Sequence, residues 1–421
     1  MQLGQFDYAI DDLKFTSSTG EVYNIKELVT NLSIFESLNS PYIKASIDII
    51  DAANFLELCP VIGQEKVELT LTQNKFLGIK KTFYVGEVTN YIKVNSTTSS
   101  YTIKLITSEQ MLNSLVLVSQ AYNGNISNSI QKIVEDYLKS KIPIFEKSNG
   151  IYSVIIPNWN PFQAIDWLLR RAIDVKQTPF AFYETFLAGF HLDSYTSLLN
   201  KKIYEKYVFK GGMPASSDSE SSAASFRQVI DYDLKEYSNT YKNNLRGAFG
   251  SGLHNVDLAT KTHTFIKYSY KDDFTRKSHL DKTPFINEKF KMNNRSMSEF
   301  DTTYNLVNKN TLAFENKSNN YNNESEFTVL EANSYMNQLS LIFINFTVRG
   351  RLDLNPGKII NFEVDRDKPS IYGNTKEENE YLSGKYLVVN VHHKFALGKY
   401  STLMDCARDS FGKKIKNRGP K

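Results

Sequence analysis

Cysteine is scarce in this sequence, and long apolar runs are missing. Cys59 and Cys406 are the only cysteines among 421 residues, which excludes a disulfide framework and a cysteine-based zinc site. The longest apolar stretch, Leu339–Phe346, is interrupted by Ser340 and Asn345 and is far shorter than the ~20 residues of a membrane-spanning helix. The first residues show no basic segment followed by an apolar one, so we expect no secretory signal and no membrane span.

An excess of one charge sign is also missing outside the last ten residues. The 50 basic and 46 acidic residues give a net charge of +4, and residues 412–421 hold five basic residues and no acid, which leaves −1 for the rest. A nearly neutral body excludes a protein that binds nucleic acid through a broad basic face. The basic tail is either a solvated terminus or a surface for an acidic partner or passing DNA. Its candidate contact residues are Lys413, Lys414, Lys416 and Arg418.

The first part of the chain has the alternating pattern of strands. At roughly 150 residues per domain, 421 residues predict about three domains. Apolar and polar residues alternate in Tyr42–Ile50, Lys66–Leu71 and Tyr101–Ile106, which predicts half-buried antiparallel strands. We therefore expect residues 1–118 to form a small antiparallel β-barrel or sandwich.

After residue 118 the apolar residues recur at helical spacing. They do so from Ile126 to Leu138, and Asn160-Pro161 predicts an N-cap followed by proline at the first position of a second helix. Phe180–Tyr183 and Phe190–Asp193 flank a glycine and predict a hairpin. Residues 119–215 are therefore expected to form an α+β domain.

A polar region separates this domain from the last strands. The small-residue run at 216–225 predicts a Ser-rich linker, and residues 226–237 are compatible with either a helix or a long strand. Residues 261–325 are rich in Asn and Lys and predict an inserted polar domain or loop region, with an exposed loop at Asn316–Ser325.

The end of the chain returns to strands. A helix is predicted near Val329–Leu339, and four strands follow, Ile342–Val348, Lys358–Val364, Tyr386–Phe395 and Tyr400–Cys406. A charged insertion, Asp365–Leu382, separates two of them. We expect residues 226–260 together with 326–411 to form a second barrel, and residues 412–421 to form the basic tail.

The two strand-rich regions share an order of elements. In each, a turn leads into a strand, a variable loop, a long strand, a tight connection and a last strand; the turns are Ile62–Glu65 and Asn355-Pro356-Gly357. A true repeat and a chance likeness of two antiparallel meanders both fit this order. The predicted class is α+β, mainly β, with two similar small antiparallel β-barrels per chain, an α+β middle domain and an irregular insertion.

Candidate chemistry is sparse. The only histidine cluster, His392-His393, falls in a predicted strand, where neighbouring side chains point to opposite faces and cannot chelate one ion. His393 is expected on the core face and His392 on the outer face. Gly357-Lys358 lacks the earlier glycine and the Ser/Thr of a phosphate-binding loop. We therefore expect no catalytic residues, cofactor or metal.

Three segments carry a resemblance to a known family. They are Ile156–Phe162 leading into Ile165–Ala172, the turn Leu352–Ile360, and the strand Tyr386–His393. In this order along the chain they resemble the baseplate hub protein of contractile-tailed bacteriophages, of the T-even type, and more distantly the spike proteins of type VI secretion. The segments cover structural elements, and residues 250–325 match in position alone.

The resemblance implies a structural function. A homotrimer would present its two barrels as a ring of quasi-sixfold symmetry, which joins the hexameric tail tube to the trimeric central spike, with baseplate wedge proteins and the tape measure protein as further partners. Genome DNA would pass through without specific binding, so we expect a neutral to acidic lumen. The protein would belong to the virion tail after synthesis in the host cytoplasm. A tail-associated peptidoglycan hydrolase and a receptor- or carbohydrate-binding tail module are the alternatives.

Overall fold

The structure is a computed structural model of the chain. It describes residues 8–73, 76–210, 226–237, 239–258, 260–287, 289–309, 326–365, 378–396 and 398–413. The predicted linker at 216–225, the predicted loop Asn316–Ser325 and residues 366–377 of the charged insertion lie outside these ranges. Within these ranges, no helix combines the length and the apolar character needed to cross a membrane.

The described residues form the following elements. The strands are β1 Tyr8–Thr16, β2 Val22–Asn24, β3 Val29–Ser37, β4 Lys44–Asp51, β5 Lys66–Gln73, β6 Phe76–Lys93, β7 Ser99–Ile106, β8 Val118–Gly124, β9 Ile144–Phe145, β10 Tyr152–Trp159, β11 Phe180–Thr185, β12 Gly189–Ser194, β13 Ile203–Phe209, β14 Val229–Tyr237, β15 Gly250–Asp257, β16 Thr262–Ser269, β17 Thr283–Pro284, β18 Tyr304–Lys309, β19 Ile342–Arg349, β20 Ile359–Val364, β21 Gly384–Ala396, β22 Lys399–Arg408 and β23 Ser410–Phe411. The α-helices are α1 Phe55–Leu58, α2 Ser108–Leu115, α3 Ile126–Tyr137, α4 Pro161–Leu169, α5 Tyr195–Leu199, α6 Thr240–Leu245, α7 Tyr270–Phe274 and α8 Ala332–Leu339.

Thirteen strands form one continuous sheet. Its main path runs β14-β19-β22-β21-β3-β4-β7-β6-β5-β1-β2, and β20 and β13 branch from β21. Neighbours along the main path are antiparallel, whereas β13 is parallel to β20. The prediction of a mainly β protein of the α+β class is confirmed.

Strands β1 to β7, which we call the first module, wrap one apolar core. In β4 the side chains of Ala45, Ile47 and Ile49 are buried, and those between them face outward, because successive strand residues point to opposite faces. Burial of every second side chain holds the strands around this core. Among the described residues no hydrogen-bonded strand pair joins β3 to β1 or β2, so the barrel is open there. Phe395 and Tyr400 from the end of the chain complete its core.

The second module, β13, β14 and β19–β22, repeats the first. The spatial order β14-β19-β22-β21-β20 matches β3-β4-β7-β6-β5, with the same chain order and the same antiparallel directions. Two β-bulges recur at equivalent places, Val29/Asn31 with Val229/Asp231 and Val85/Glu87 with Val388/Asn390. Because a bulge is a specific feature of a strand pair, its recurrence identifies a repeat. The predicted likeness of the two strand-rich regions is thus present in the order and directions of their strands, although the described strands form one continuous sheet and no closed barrel.

The modules are joined at a seam where β21 pairs with β3. The register runs from Asn390 opposite Ser37 to Ala396 opposite Asn31. The Ser37 hydroxyl donates to Asn390 Oδ1 at 2.6 Å, and the His392 ring stacks on Phe35 with centroids 4.2 Å apart. The sheet therefore crosses from one module to the other without interruption.

The middle domain contains the predicted helices and hairpin. α4 begins at Pro161 as predicted, but the Asn160 side chain does not cap it. Asn160 Nδ2 donates to the carbonyl of Asn113, and Asn113 Oδ1 accepts the N–H of Phe162, both at 2.8 Å. The first turn of α4 is therefore tied to α2. Strands β11 and β12 form the predicted hairpin.

The insertion between β14 and β19 contains a sheet that the sequence did not indicate. β15 lies between β16 and β18, and Phe249, Leu253, Tyr268 and Tyr270 are buried in a separate core. β15 falls in the range 226–260 that was assigned to the second barrel, and its strand partners belong to the insertion. Residues 229–237 form the strand β14, so the segment for which the sequence allowed either a helix or a strand is a strand.

The middle domain and the insertion pack at one end of the modules. A shared core contains Leu38 from the β3–β4 connection, Tyr183 and Leu198 from the middle domain, and Leu280 and Tyr335 from the insertion. The insertion itself lies in the β14–β19 connection, which is the equivalent of the β3–β4 connection. The opposite end carries the β6–β7 and β21–β22 connections, and the part of the chain that the structure describes adds no domain there.

Candidate assembly interface

A buried polar cluster lies in the β11–β12 hairpin. Thr185 Oγ1 is 2.9 Å from His191 Nε2, His191 Nδ1 is 3.8 Å from Asp193 Oδ2, and all three residues are buried. Burial would raise the pKa of Asp193, but the nearby His191 imidazole, the charge of Lys201 and the hydrogen bond from the Tyr183 hydroxyl hold this pKa below its usual value. The cluster lies inside the fold, where it fixes the hairpin.

The same cluster holds the turn that precedes β20. Gly357 has φ +79°, and a Cβ at this position would lie 2.6 Å from the Tyr183 hydroxyl, which donates to Asp193 at 2.8 Å. Only glycine combines this backbone conformation with so close an approach. The segment Leu352–Ile360 thus docks the second module on the middle domain.

The adjacent histidines separate as predicted. His393 is buried, with Nδ1 2.8 Å from the Tyr400 hydroxyl and Nε2 3.3 Å from Glu36 Oε1 across the seam. His392 lies on the other face, and burial, together with His393 and Lys394, lowers its pKa to about 4. No group of three or more potential metal ligands occurs among the described residues.

Among the described residues, the edges of β14 and β6 lack a paired strand at the positions where the equivalent strands β3 and β21 pair with each other. β14 is the equivalent of β3, and within the described residues its only partner in a strand ladder is β19. β6 is the equivalent of β21, and in the part of the chain that the structure describes its half beyond Val85 pairs with β7 alone. Among the described residues, each half of the seam thus has one equivalent edge without a ladder partner, and a single bridge joins Gln228, just before β14, to Val208 of β13.

Exposed apolar side chains mark both edges. Ile34 of β3 is fully buried, whereas its equivalent in β14, Leu234, is 36% exposed. Tyr237 on β14 and Tyr91 and Ile92 on β6 are also exposed. The difference in exposure between the equivalent residues Ile34 and Leu234 is expected when a neighbouring strand covers the first and not the second.

The face of the sheet turned away from the two module cores carries polar pairs beside the exposed apolar residues Phe35 and Leu403. Asn390 Nδ2 donates to Asp405 at 2.9 Å, and Asn31 Nδ2 donates to Asp48 at 2.8 Å. The Lys104 ammonium group is 2.8 Å from Glu87 Oε2. Hydrogen-bonded amides and carboxylates thus extend over both modules on this face.

The predicted contact residues of the tail are described only in part. Lys413 Nζ is 3.3 Å from Glu380 Oε1, an exposed ion pair within the chain. Lys414, Lys416 and Arg418 lie outside the described residues. The contact function of the tail stays a prediction.

Comparison with known proteins gives a fold. No protein-family model matches the chain, and no curated protein has a significantly similar sequence. The tail protein from Neisseria meningitidis MC58 matches with a TM-score of 0.54 and 9% identity over 96% of this chain and 97% of that one. The 43 kDa tail protein of prophage MuSo2 from Shewanella oneidensis matches with a TM-score of 0.56 and 10% identity over 94% and 98%.

This chain has a tail-protein fold. The fold extends over nearly the whole length of both tail proteins. The resemblance seen in the three sequence segments is thereby confirmed at the level of the fold. In this tail-protein fold, the two vacant strand edges are the strongest candidate for an interface.

Proposed function

We propose that this chain is a structural baseplate hub of a contractile phage tail, a homotrimeric adapter between the hexameric tail tube and the trimeric central spike. Its fold is that of two tail proteins, and its repeat supplies two similar modules per chain. Three chains would place six similar modules in a ring, so a threefold assembly can meet a sixfold one. The proposed function is structural and needs no catalytic group.

The vacant edges carry the proposal. Because β6 is equivalent to β21 and β14 to β3, the register of the β21–β3 seam can be applied to a contact between two chains. In this contact β6 of one chain pairs with β14 of the next. The transferred register places Val88 opposite Tyr237, Thr89 opposite Glu236, and Ile92 opposite Asp233. This contact is head-to-tail and covers the exposed apolar residues of both edges, which an unpaired strand edge requires.

The two ends of the ring differ in symmetry. The end with the β6–β7 and β21–β22 turns is similar in both modules and would suit the hexameric tube. The end with the middle domain and the insertion occurs once per chain and would suit the trimeric spike. Wedge proteins and the tape measure protein remain further proposed partners.

We assign the polar face of the sheet to the lumen of the ring. Its amides and paired charges would let DNA pass without the counterion release that drives binding to basic surfaces. In this proposal, the neutral to acidic lumen that the sequence predicts would be formed by this face. An assembly with a continuous bore of unpaired Lys and Arg would contradict it.

Light scattering and electron microscopy of the purified chain, alone and with its spike, test the proposal. We expect a particle of three chains with a ring of six similar densities. A monomer in both samples, or a ring with any number of chains other than three, would refute the trimeric hub.

A further inference from the structure

The outer face of the inserted sheet carries aromatic rings that lie next to one another. The strand register places His254 of β15 opposite Phe265 of β16, and Gly252 of β15 opposite Tyr304 of β18, with all four residues on this face. Phe265 is 40% exposed and Tyr304 is 64% exposed, whereas the other face of the sheet packs on a buried core. Exposed rings gathered on one face indicate a contact surface. We call these four residues the aromatic patch.

The rings of the aromatic patch are held in a fixed arrangement. The centroid of the Phe265 ring is 4.5 Å from that of His254 and 6.2 Å from that of Tyr304, with 29° and 30° between the ring planes. A Cβ at Gly252 would lie 2.7 Å from the Phe265 ring and 3.1 Å from the Tyr304 ring, so both rings lean over the bare backbone of this glycine. A 2.9 Å hydrogen bond with His263 holds the His254 imidazole. Rings that are already ordered lose little entropy when a ligand covers them.

A pair of opposite charges lies beside the rings. Lys267 of β16 is opposite Gly252 and therefore shares the face of the aromatic patch. Its Nζ is 5.7 Å from the centroid of the Phe265 ring and 2.7 Å from Asp301 Oδ2. The pair adds hydrogen-bond donors and acceptors next to the rings and contributes no net charge.

The size and the charge of this face select its occupant. Three strands and three alternate residues along each strand give a face of roughly 10 Å by 13 Å. A stable protein interface needs about 800 Å² from each partner, so the face suits one or two sugar rings better than a protein. Single-stranded nucleic acid stacks on aromatic rings but also needs a basic groove, which the neutral Lys267–Asp301 pair does not provide. A pyranose combines an apolar C–H face, which the π-face of an aromatic ring attracts, with hydroxyls that need donors and acceptors.

We propose that the aromatic patch is a binding site for a neutral sugar. The C–H face of a pyranose ring would lie on Phe265 and Tyr304, and its hydroxyls would hydrogen-bond to Lys267 and Asp301. The inference rests on the insertion alone and does not depend on the hub function.

Saturation-transfer NMR of the full chain with lactose, maltose and diacetylchitobiose tests the site. We expect saturable binding of at least one of these disaccharides, with a dissociation constant on the order of 1 mM, because a flat face covers less of a ligand than a cleft does. Phe265→Ala and Tyr304→Ala should each weaken this binding about tenfold, the usual loss when a stacking ring is removed. Phe265→Tyr keeps the ring and should bind as the wild type does. Tyr241→Ala is the matched control, because it removes an exposed tyrosine of α6 that lies outside the sheet.

Gly252→Ala tests the arrangement of the rings separately from their presence. The added Cβ would displace the Phe265 ring and leave every ring in the chain, so sugar binding should weaken. Thermal unfolding of each variant shows that it is folded. The proposal would be overturned if the wild type bound none of the three sugars saturably, or if Phe265→Ala and Tyr304→Ala bound as tightly as the wild type. Tighter binding of an oligothymidylate than of any sugar would assign the rings to bases and would also overturn it.

Discussion

Gly357 turns the chain beneath the Tyr183 hydroxyl, and its replacement combines two costs. Gly357→Ala would place a Cβ 2.6 Å from that hydroxyl at φ +79°. We expect the free energy of unfolding to fall by about 3 kcal/mol, from backbone strain plus displacement of the Tyr183–Asp193 hydrogen bond. Urea unfolding followed by tryptophan fluorescence measures it.

Gly398 provides the control for this prediction. It has φ +70°, and nothing lies within 4 Å of a Cβ built there. Gly398→Ala should therefore cost only the backbone strain, about 1–2 kcal/mol. Equal losses in the two variants would show that the contact with Tyr183 does not matter.

His392 gives the seam a dependence on pH. Its folded pKa of about 4 lies below the ordinary value of 6.5, so the unfolded chain binds the proton first as the pH falls. The contribution of His392 to the free energy of unfolding is fully present above pH 6.5 and decreases as the pH falls towards 4. Because the ring is only partly buried, we expect the His392 contribution lost between pH 7 and pH 5 to be about 1 kcal/mol.

His392→Gln should remove this contribution. Urea unfolding of both proteins at pH 7 and at pH 5 measures the difference between their losses, in which other titrating groups cancel. If the variant and the wild type lose the same free energy on acidification, the assigned pKa shift is wrong.

Local signals predicted some side chains of this fold and missed others. Alternation alone placed His393 in the core, and Asn160-Pro161 correctly marked the start of α4. The amide of Asn113, which in fact holds that helix start, lies 47 positions before Asn160 and carries no local signal. Contacts fixed by tertiary register, such as the 2.9 Å hydrogen bond between His254 of β15 and His263 of β16, are beyond a sequence pattern.

The element scale shows where hydrophobic periodicity fails. β14 was ambiguous between helix and strand, because a bulge at Val229/Asp231 and exposed apolar residues break its alternation. The sheet of the insertion was missed because β15 begins with Gly250, Ser251 and Gly252, which have small or no side chains to form a pattern. The long regular strands and α3 were predicted because one face of each is continuously apolar.

Leu234 on β14 should matter for assembly and not for folding. It is 36% exposed in the single chain, so Leu234→Glu should change the free energy of unfolding of the monomer by no more than about 0.5 kcal/mol. In the proposed contact the charge would be buried against β6, and the trimer should weaken at least tenfold in sedimentation equilibrium.

Leu77→Glu is the matched control for this variant. Leu77 is 73% exposed and lies at the other end of β6, away from the proposed contact. It should leave the trimer intact. Equal weakening by both substitutions would point to a general effect of charge and would contradict the assigned edge.

At the scale of the whole molecule, the order of turns and strands predicted the repeat without residue identity. The equivalent β-bulges then turned a weak pattern into a defined register. The shared seam could not be predicted, because β21 and β3 are more than 340 positions apart and either module could have closed on itself. The β21–β3 seam within one chain supplies the register of the proposed β6–β14 contact between chains.

Disulfide trapping across the proposed contact tests the central claim most directly. Val88→Cys with Tyr237→Cys, and Thr89→Cys with Glu236→Cys, place thiols at adjacent facing pairs, of which one has the closer spacing of a non-hydrogen-bonded pair. Val88→Cys with Asp233→Cys is shifted out of register and serves as the control. We expect mild oxidation to yield a covalent trimer on a non-reducing gel from at least one in-register pair and not from the control. Equal cross-linking of in-register and shifted pairs, or none from any, would contradict the pairing of β6 with β14.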